Sequence, residues 1–180
     1  MRIACIGWGS LVWSPGVLRC EGEWHLNGPL LPLEFARTSK DGRLTLVLMD
    51  GAALVPSLWV ELDYADPEST RQALAGREGS SPLSVGLWPG PAPRYAVGAV
   101  DIAGWAESKA LDAVVWTALP PKFAGEDRKA PDSGQAAVDY LLGLDAESFA
   151  KAREYVEKAP AQVRTAFRSA FEERLGWRTV

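Results

Sequence analysis

The hydrophobic and polar positions in the first half of the chain alternate with the two-residue period of β-strands. The clearest case is residues 43–49, where Leu44, Leu46 and Leu48 share one predicted face. The polar segment at residues 39–42 ends in Asp-Gly and separates this strand from an earlier apolar run, which favours a β-hairpin. In total, the pattern predicts strands at residues 3–6, 23–26, 31–38, 43–49, 58–62, 95–102 and 111–119.

One helix interrupts these strands. Asp66 as N-cap, followed by a proline at the first helical position, predicts a helix that ends near residue 75 with Gly76 as its C-cap. Beyond it, residues 79–93 contain three glycines and four prolines, which predicts a long irregular loop. Loops of this length are often functional, so we expect this one to border a binding site.

Three further helices are predicted in the last third of the chain, where apolar residues recur with the helical period. Asp132 or Ser133 caps the first helix, Asp145 caps the second, and Gly176 ends the third. Strands with one inserted helix, followed by helices, predict an α+β fold with a mostly antiparallel sheet.

Composition indicates one globular domain spanning residues 1–180, since 47% of the residues are hydrophobic and the length suffices for a sizeable core. The net charge of −4 and the lack of a long basic run argue against nucleic-acid partners. No segment predicts a signal peptide or a membrane span. Cys5 and Cys20 form no disulfide framework, so we expect a cytoplasmic protein with reduced thiols. With His25 as the single histidine, no metal site is predicted.

Glycine and serine are concentrated directly after the first predicted strand. Residues 7–16 read Gly-Trp-Gly-Ser-Leu-Val-Trp-Ser-Pro-Gly. Glycines permit a positive φ and let the backbone approach a ligand closely. Consecutive backbone N–H groups in such a turn can form a concave site for an anion, for example a carboxylate. The sequence therefore predicts a binding loop in this segment.

A second candidate is Glu78, which follows the predicted helix and precedes Gly79. A carboxylate at the edge of a pocket can serve as a general acid and base. The alternative is a solvated loop glutamate, because Glu side chains are mostly exposed. Arg37, Arg77 and Arg94 are candidates for binding a substrate carboxylate, and the sequence does not rank them.

Other catalytic arrangements are less well supported by the sequence. Cys20 and His25 lack an orienting third group, and Cys5 lies in a predicted buried strand, where thiols are unreactive. Ser10 does not lie in the Gly-x-Ser-x-Gly segment of many serine hydrolases. The opening segment also lacks the third glycine of a dinucleotide-binding fingerprint.

Residues 6–15, Ile-Gly-Trp-Gly-Ser-Leu-Val-Trp-Ser-Pro, resemble the Tyr-Gly-Ser-Leu signature of the γ-glutamylcyclotransferase-like superfamily. The glutathione-degrading members, with Gly-Tyr-Gly-Ser-Leu-Ile-Trp, are the most similar. Residues 74–79, Leu-Ala-Gly-Arg-Glu-Gly, resemble the family segment Leu-Asp-x-x-Glu-Gly, and residues 114–120 resemble a late strand. Trp8 stands where the family has Tyr, and Ala75 stands where it has Asp.

This resemblance, which spans residues 1–125, implies a small mixed β-barrel with flanking helices, to which residues 126–180 add a helical C-terminal part. It implies that Glu78 is the catalytic acid and base. Binding of the substrate would fall to the residues of the opening loop, namely Gly7, Trp8, Gly9, Ser10 and Leu11. The α-amine of a γ-glutamyl substrate would attack its own γ-carbonyl and release 5-oxoproline. This chemistry requires no metal and no cofactor.

Three functions remain open at this stage. The first is a cyclotransferase-like enzyme acting on a γ-glutamyl or related aminoacyl amide, which a carboxylate at Glu78 favours. The second is a non-catalytic protein of the same fold that binds a small ligand, which the departure at Trp8 favours. The third is a protein-interaction domain that uses its tryptophans and C-terminal helices.

Overall fold

The computed structural model describes residues 1–123 and 130–180. The chain forms two compact units, and each is built from two separate segments. The first unit contains Met1–Leu31 and Pro56–Leu119, and the second contains Pro32–Val55 and Pro120–Val180. The single domain stays a prediction, and its predicted internal junction at residues 125 and 126 lies outside the described residues.

Strands and helices both contribute to the fold, as the α+β prediction requires. The strands of the described residues are β1 (Ile3–Gly7), β2 (Cys20–His25), β3 (Leu30–Thr38), β4 (Leu44–Leu48), β5 (Leu54–Pro56), β6 (Leu58–Leu62), β7 (Val85–Trp88) and β8 (Ala113–Thr117). The α-helices are α1 (Pro67–Arg77), α2 (Ala99–Ser108), α3 (Gly134–Leu142), α4 (Ala146–Lys158) and α5 (Ala166–Leu175). Among the helices of the described residues, none combines the length and apolar character that a membrane crossing requires.

The first unit contains a five-stranded sheet in the order β2-β6-β1-β8-β7. Its β1–β8 pair is parallel and its other pairs are antiparallel, which confirms the mixed, mostly antiparallel sheet. Cys5 lies opposite Val60 and Val115 on the neighbouring strands, so these side chains share one face. This face forms one buried apolar cluster with Leu74 and Ala75 of α1.

The predicted β-barrel is wrong. The described strands form two sheets, the five-stranded sheet and a three-stranded sheet in the order β4-β3-β5. A barrel closes only when its first and last strands pair with each other. In the five-stranded sheet, β2 and β7 are instead the two edges.

The predicted hairpin is confirmed in the second unit, where β3 and β4 pair antiparallel. Phe35 of β3 lies opposite Leu46 of β4 and is fully buried. Its ring meets Tyr155 of α4 and Phe171 of α5, with ring centroids 6.3 and 5.4 Å apart. The hairpin therefore buries its aromatic side chain against the last two helices.

The strand predicted at residues 95–102 is wrong, because the chain forms α2 from Ala99 onward. The N-cap of this helix is Gly98, which has a φ of 77° and offers no side-chain acceptor. The usual sequence signal for a helix start is therefore absent. Ile102 and Ala106, one turn apart, are both fully buried, so burial of this face stabilises the helix.

The irregular loop predicted at residues 79–93 contains regular structure, namely a 3₁₀ turn at Pro82–Ser84 and then β7. In the β7–β8 pair, Gly86 lies opposite Trp116. A Cβ atom at Gly86 would lie 2.0 Å from the Trp116 indole, so the glycine makes room for this ring. A glycine that suggests a loop in the sequence is here a packing requirement of a strand.

Candidate functional site

The opening loop begins where β1 ends. The chain then turns tightly, and the Val12 N–H donates to the Gly9 carbonyl at 2.9 Å. The Ser14 N–H donates to the Ser10 carbonyl at 2.8 Å. These two hydrogen bonds define residues 8–14 as one compact structure, which we name the β1 turn.

Gly7, directly before the β1 turn, packs against an aromatic ring. A Cβ atom at Gly7 would lie 2.7 Å from two ring atoms of Trp24. In the same loop, Gly16 has a positive φ of 64°, as expected for a glycine in a turn. Gly7 thus makes room for the Trp24 ring, and the predicted approach of this backbone to a ligand stays a prediction.

The β1 turn presents backbone donors without a protein acceptor. In the part of the chain that the structure describes, no acceptor receives the N–H of Gly9, Ser10 or Leu11. Gly9 and Leu11 are buried and Ser10 is half-buried. Neighbouring N–H groups of this kind can together bind an anion.

Glu78 occupies the C-cap of α1, in a Schellman motif. The Gly79 N–H donates to the Gly76 carbonyl at 3.1 Å, and the Ser80 N–H donates to the Ala75 carbonyl at 2.9 Å. Gly79 has the positive φ of 58° that this motif requires. The predicted cap at Gly76 is therefore wrong, since the helix continues to residue 77. This motif fixes the backbone from which the Glu78 carboxylate projects.

Arg77 connects Glu78 with the β1 turn. Its Nη1 lies 2.6 Å from Oε1 of Glu78, in an ion pair whose side chains are only 14% and 16% exposed. Its Nη2 donates to the Ser14 carbonyl at 2.7 Å and to Ser10 Oγ at 3.2 Å. Ser10 and Glu78, which the sequence singled out independently, are therefore joined through one guanidinium group.

Cys5 of β1 lies within electrostatic reach of this ion pair. Burial raises the pKa of the Cys5 thiol far above its ordinary value; Cys20 and Glu78 add to the rise, and Arg77 opposes it. A fully buried thiol that stays protonated is not a nucleophile. The burial of Cys5 thus agrees with its predicted place in a buried strand.

The remaining polar candidates have other contacts. Nη1 of Arg37 donates to the Pro120 carbonyl at 2.6 Å in the second unit, and Arg94 is exposed. His25 stacks on Trp59 with ring centroids 4.4 Å apart. Among the described residues, no group of three or more His, Cys, Asp or Glu side chains is placed to hold a metal ion.

The role of Ser14 was not predicted from the sequence. Its carbonyl accepts from both Nε and Nη2 of Arg77, at 3.3 and 2.7 Å. Every residue type has a backbone carbonyl, so the identity of residue 14 does not indicate this contact. Ser14 also lies 63 residues before Arg77 in the sequence. Ala75, the departure from the family pattern, is 2% exposed within the apolar cluster of the first unit. An aspartate at this position would place a carboxylate inside that apolar cluster, which carries a desolvation cost.

Comparisons with known proteins give no family and a distant structural likeness. No family model matches the chain, and no curated protein matches it. Among solved structures, the chain is similar to a yeast γ-glutamyl cyclotransferase that is described as specific to glutathione. The two chains are 11% identical over 98% of each, with a TM-score of 0.47. This likeness is too distant to assign the chain to the family of that protein.

Proposed function

We propose that this protein is a γ-glutamylcyclotransferase-like enzyme that cleaves a γ-glutamyl or related aminoacyl amide and releases 5-oxoproline. The observation that carries the proposal is the Arg77 bridge between Glu78 and Ser10. Arg77 joins the half-buried Glu78 carboxylate to Ser10 of the β1 turn, although Ser10 and Arg77 are 67 residues apart in the sequence. A base and a set of free backbone donors are the two components that this reaction requires.

In the proposed complex, the β1 turn binds the α-carboxylate of the γ-glutamyl group. The unpaired N–H groups of Gly9, Ser10 and Leu11 supply the donors. Trp8, the first residue of this turn, is 5% exposed, and Gly7 directly before it packs on Trp24. The substrate is thereby held in a folded conformation, with its α-amine close to its γ-carbonyl carbon.

In the proposed chemistry, Glu78 carries one proton from the attacking amine to the leaving nitrogen. The α-ammonium group of the substrate first loses one proton to water. The Glu78 carboxylate takes a second proton from the neutral amine as the amine nitrogen attacks the γ-carbonyl carbon. The bond between this carbon and the leaving nitrogen then breaks. The leaving amine receives the proton from Glu78, and the products are 5-oxoproline and a free amine. The nucleophile belongs to the substrate, so the protein supplies orientation and one proton carrier.

The test is an assay of 5-oxoproline release from γ-glutamyl amino acids, γ-glutamyl amines and glutathione. We expect release by the parent protein and a loss of at least about 100-fold in kcat for Glu78→Gln, because the amide cannot accept the proton. The matched control is Glu68→Gln, since Glu68 lies on the same helix, is 49% exposed and pairs with Arg71. This control is expected to retain full activity.

Two outcomes would contradict the proposal. One is the absence of 5-oxoproline from every substrate, with a parent protein whose circular dichroism and thermal transition show that it is folded. The other is equal activity of the parent and Glu78→Gln, which would place the base elsewhere.

One observation favours a second candidate, a non-catalytic protein that binds an amino-acid-like anion at the same site. Oε1 of Glu78 is already occupied by Arg77 at 2.6 Å, and an occupied carboxylate is less available as a base. This candidate predicts a rise in the thermal transition with γ-glutamyl ligands, without any release of 5-oxoproline.

A further inference from the structure

We infer that Arg77 is the positioning residue of this site, and that it holds the β1 turn and the Glu78 carboxylate in one fixed geometry. In its catalytic consequence, this inference rests on the proposed function. Its structural consequence, the immobilisation of the β1 turn, is independent of that function and can be measured separately.

The contacts of Arg77 occupy all three nitrogens of its guanidinium group. Nη1 contacts the Glu78 carboxylate at 2.6 Å, and Nη2 contacts the Ser14 carbonyl at 2.7 Å and Ser10 Oγ at 3.2 Å. Nε also contacts the Ser14 carbonyl, at 3.3 Å. A planar guanidinium fixes the directions of its donors, so these contacts set the position of one partner relative to the others.

These contacts argue against Arg77 as a binder of the substrate carboxylate. The side chain is 14% exposed, and each of its nitrogens already donates to an acceptor of the protein. These contacts use four of the five N–H groups of the guanidinium, so Arg77 has one N–H at Nη1 left for a substrate anion. Among the described residues, the N–H groups of Gly9, Ser10 and Leu11 in the β1 turn have no protein acceptor.

A role in positioning has a specific kinetic consequence. The turn binds the substrate and Glu78 moves the proton, so an error in their relative position affects the reaction more than it affects binding. Displacements of about 1 Å at an active site can cost about 100-fold in rate. Loss of Arg77 is therefore expected to lower kcat and to leave KM nearly unchanged.

The experiment compares Arg77→Met, Arg77→Lys and the matched control Arg71→Met in the full chain. Arg71 lies on the same helix with a side chain that is 15% exposed. It pairs with Glu68 at 3.0 Å and makes no hydrogen bond to the β1 turn among the described residues. We expect Arg77→Met to lower kcat by about 100-fold with KM within about threefold. Arg77→Lys keeps the positive charge but loses the planar set of guanidinium N–H donors, so it should recover only part of kcat. Arg71→Met should retain the kinetics of the parent.

A second readout, amide hydrogen exchange, applies whether or not the parent protein is active. The N–H groups of Val12 and Ser14 are hydrogen-bonded within the β1 turn and report on its opening. In Arg77→Met we expect both to exchange at least about tenfold faster than in the parent, and in Arg71→Met at the parental rate.

The outcomes separate this inference from the proposed function. Release of 5-oxoproline that needs Glu78, together with unchanged kcat in Arg77→Met, would overturn the inference alone. A rise in KM at constant kcat would also overturn it, because Arg77 would then bind substrate. Absence of turnover in the parent would remove the proposed function. Hydrogen exchange in Arg77→Met would then test the positioning role of Arg77 by itself. Equal exchange in Arg77→Met and the parent overturns the positioning role, and faster exchange supports it.

Discussion

At the scale of single residues, burial and hydrogen bonds together set the pKa of the buried carboxylate of Glu34. It is 4% exposed in β3, where Oε1 accepts from the Phe35 N–H at 2.8 Å. Oε2 accepts from the Phe167 N–H at 3.2 Å, at the start of α5. Burial raises the pKa of the Glu34 carboxyl, and hydrogen bonds from Thr165 and nearby backbone oppose this rise without cancelling it. A raised pKa disfavours the charged form in the folded protein.

Glu34→Gln is expected to change how stability depends on pH. Because the folded pKa lies above the unfolded value of 4.5, the folded state holds its proton when the unfolded state has lost it. The contribution of Glu34 to stability is fully present below pH 4.5 and is lost as pH rises through the folded pKa. The parent protein should therefore lose stability relative to Glu34→Gln as pH rises from 4.5 toward neutrality.

The measurement is urea unfolding of both proteins at closely spaced pH values. The exposed Glu173 gives the control Glu173→Gln, which should show no such change relative to the parent. A difference between the parent and Glu34→Gln that stays constant over this pH range, or that grows in favour of the parent, would contradict the argument.

The candidate site was predictable at the residue scale only in part. Glu78 and Ser10 stand out in the sequence because glycines and a helix end surround them. The contact that joins them is not visible there, since Arg77 was one of three unranked arginines. Side chains that meet across 67 residues have no local signal, so their pairing follows from the sheet and helix that carry them.

At the scale of elements, residues that cap helices locally were predicted well. Ser133, Asp145 and Gly176 occupy the predicted caps of α3, α4 and α5. These signals succeed because each capping hydrogen bond is local and spans at most five residues. The strand β7 and the helix α2 were missed because their stability depends on distant partners. Gly86 of β7 suits a strand only because Trp116 covers it.

The connection between α4 and α5 depends on a buried arginine that no local signal indicates. Arg168 is 1% exposed and has no carboxylate partner within hydrogen-bonding distance among the described residues. Its guanidinium instead donates to acceptors at the end of α4 and beyond, namely the carbonyls of Val156, Ala159, Pro160 and Val163 and the hydroxyl of Thr179. One side chain thus satisfies carbonyls that the helix end leaves unpaired.

Arg168→Met is expected to lower the free energy of unfolding by about 3 kcal/mol, because it leaves several buried acceptors without a donor. Urea unfolding followed by circular dichroism measures this loss. Arg164→Met is the control, since Arg164 is 68% exposed and its distance to Glu172 is 3.7 Å. A loss for Arg168→Met no larger than that for the control would show that water replaces the guanidinium at these carbonyls.

At the scale of the whole molecule, each unit is assembled from segments that are distant in sequence. The second unit combines the β3–β4 hairpin of Pro32–Val55 with the helices of Pro120–Val180. The Leu46 N–H donates to the hydroxyl of Tyr155 at 3.2 Å, across 109 residues. Phe35 and Phe171 meet with ring centroids 5.4 Å apart. Periodicity predicted the hairpin and the helices correctly, but it carries no information about which strands the helices cover.

This arrangement predicts the behaviour of a chain that ends at residue 125. Such a chain keeps β3 and β4 but lacks α4 and α5, so Phe35 and Leu46 lose the side chains that cover them. Exposed apolar strands associate. We therefore expect this chain to form soluble aggregates in size-exclusion chromatography with light scattering, and the Leu46 amide to lose its protection from hydrogen exchange.

The matched control is the same chain co-expressed with residues 126–180 as a separate polypeptide. It should recover a defined complex and protection at Leu46, because the covering helices are again present. A shortened chain that stays monomeric alone and protects Leu46 as the full chain does would contradict this reasoning. The hairpin would then be stable without Tyr155 and Phe171, and the contacts of the second unit would add little to its folding.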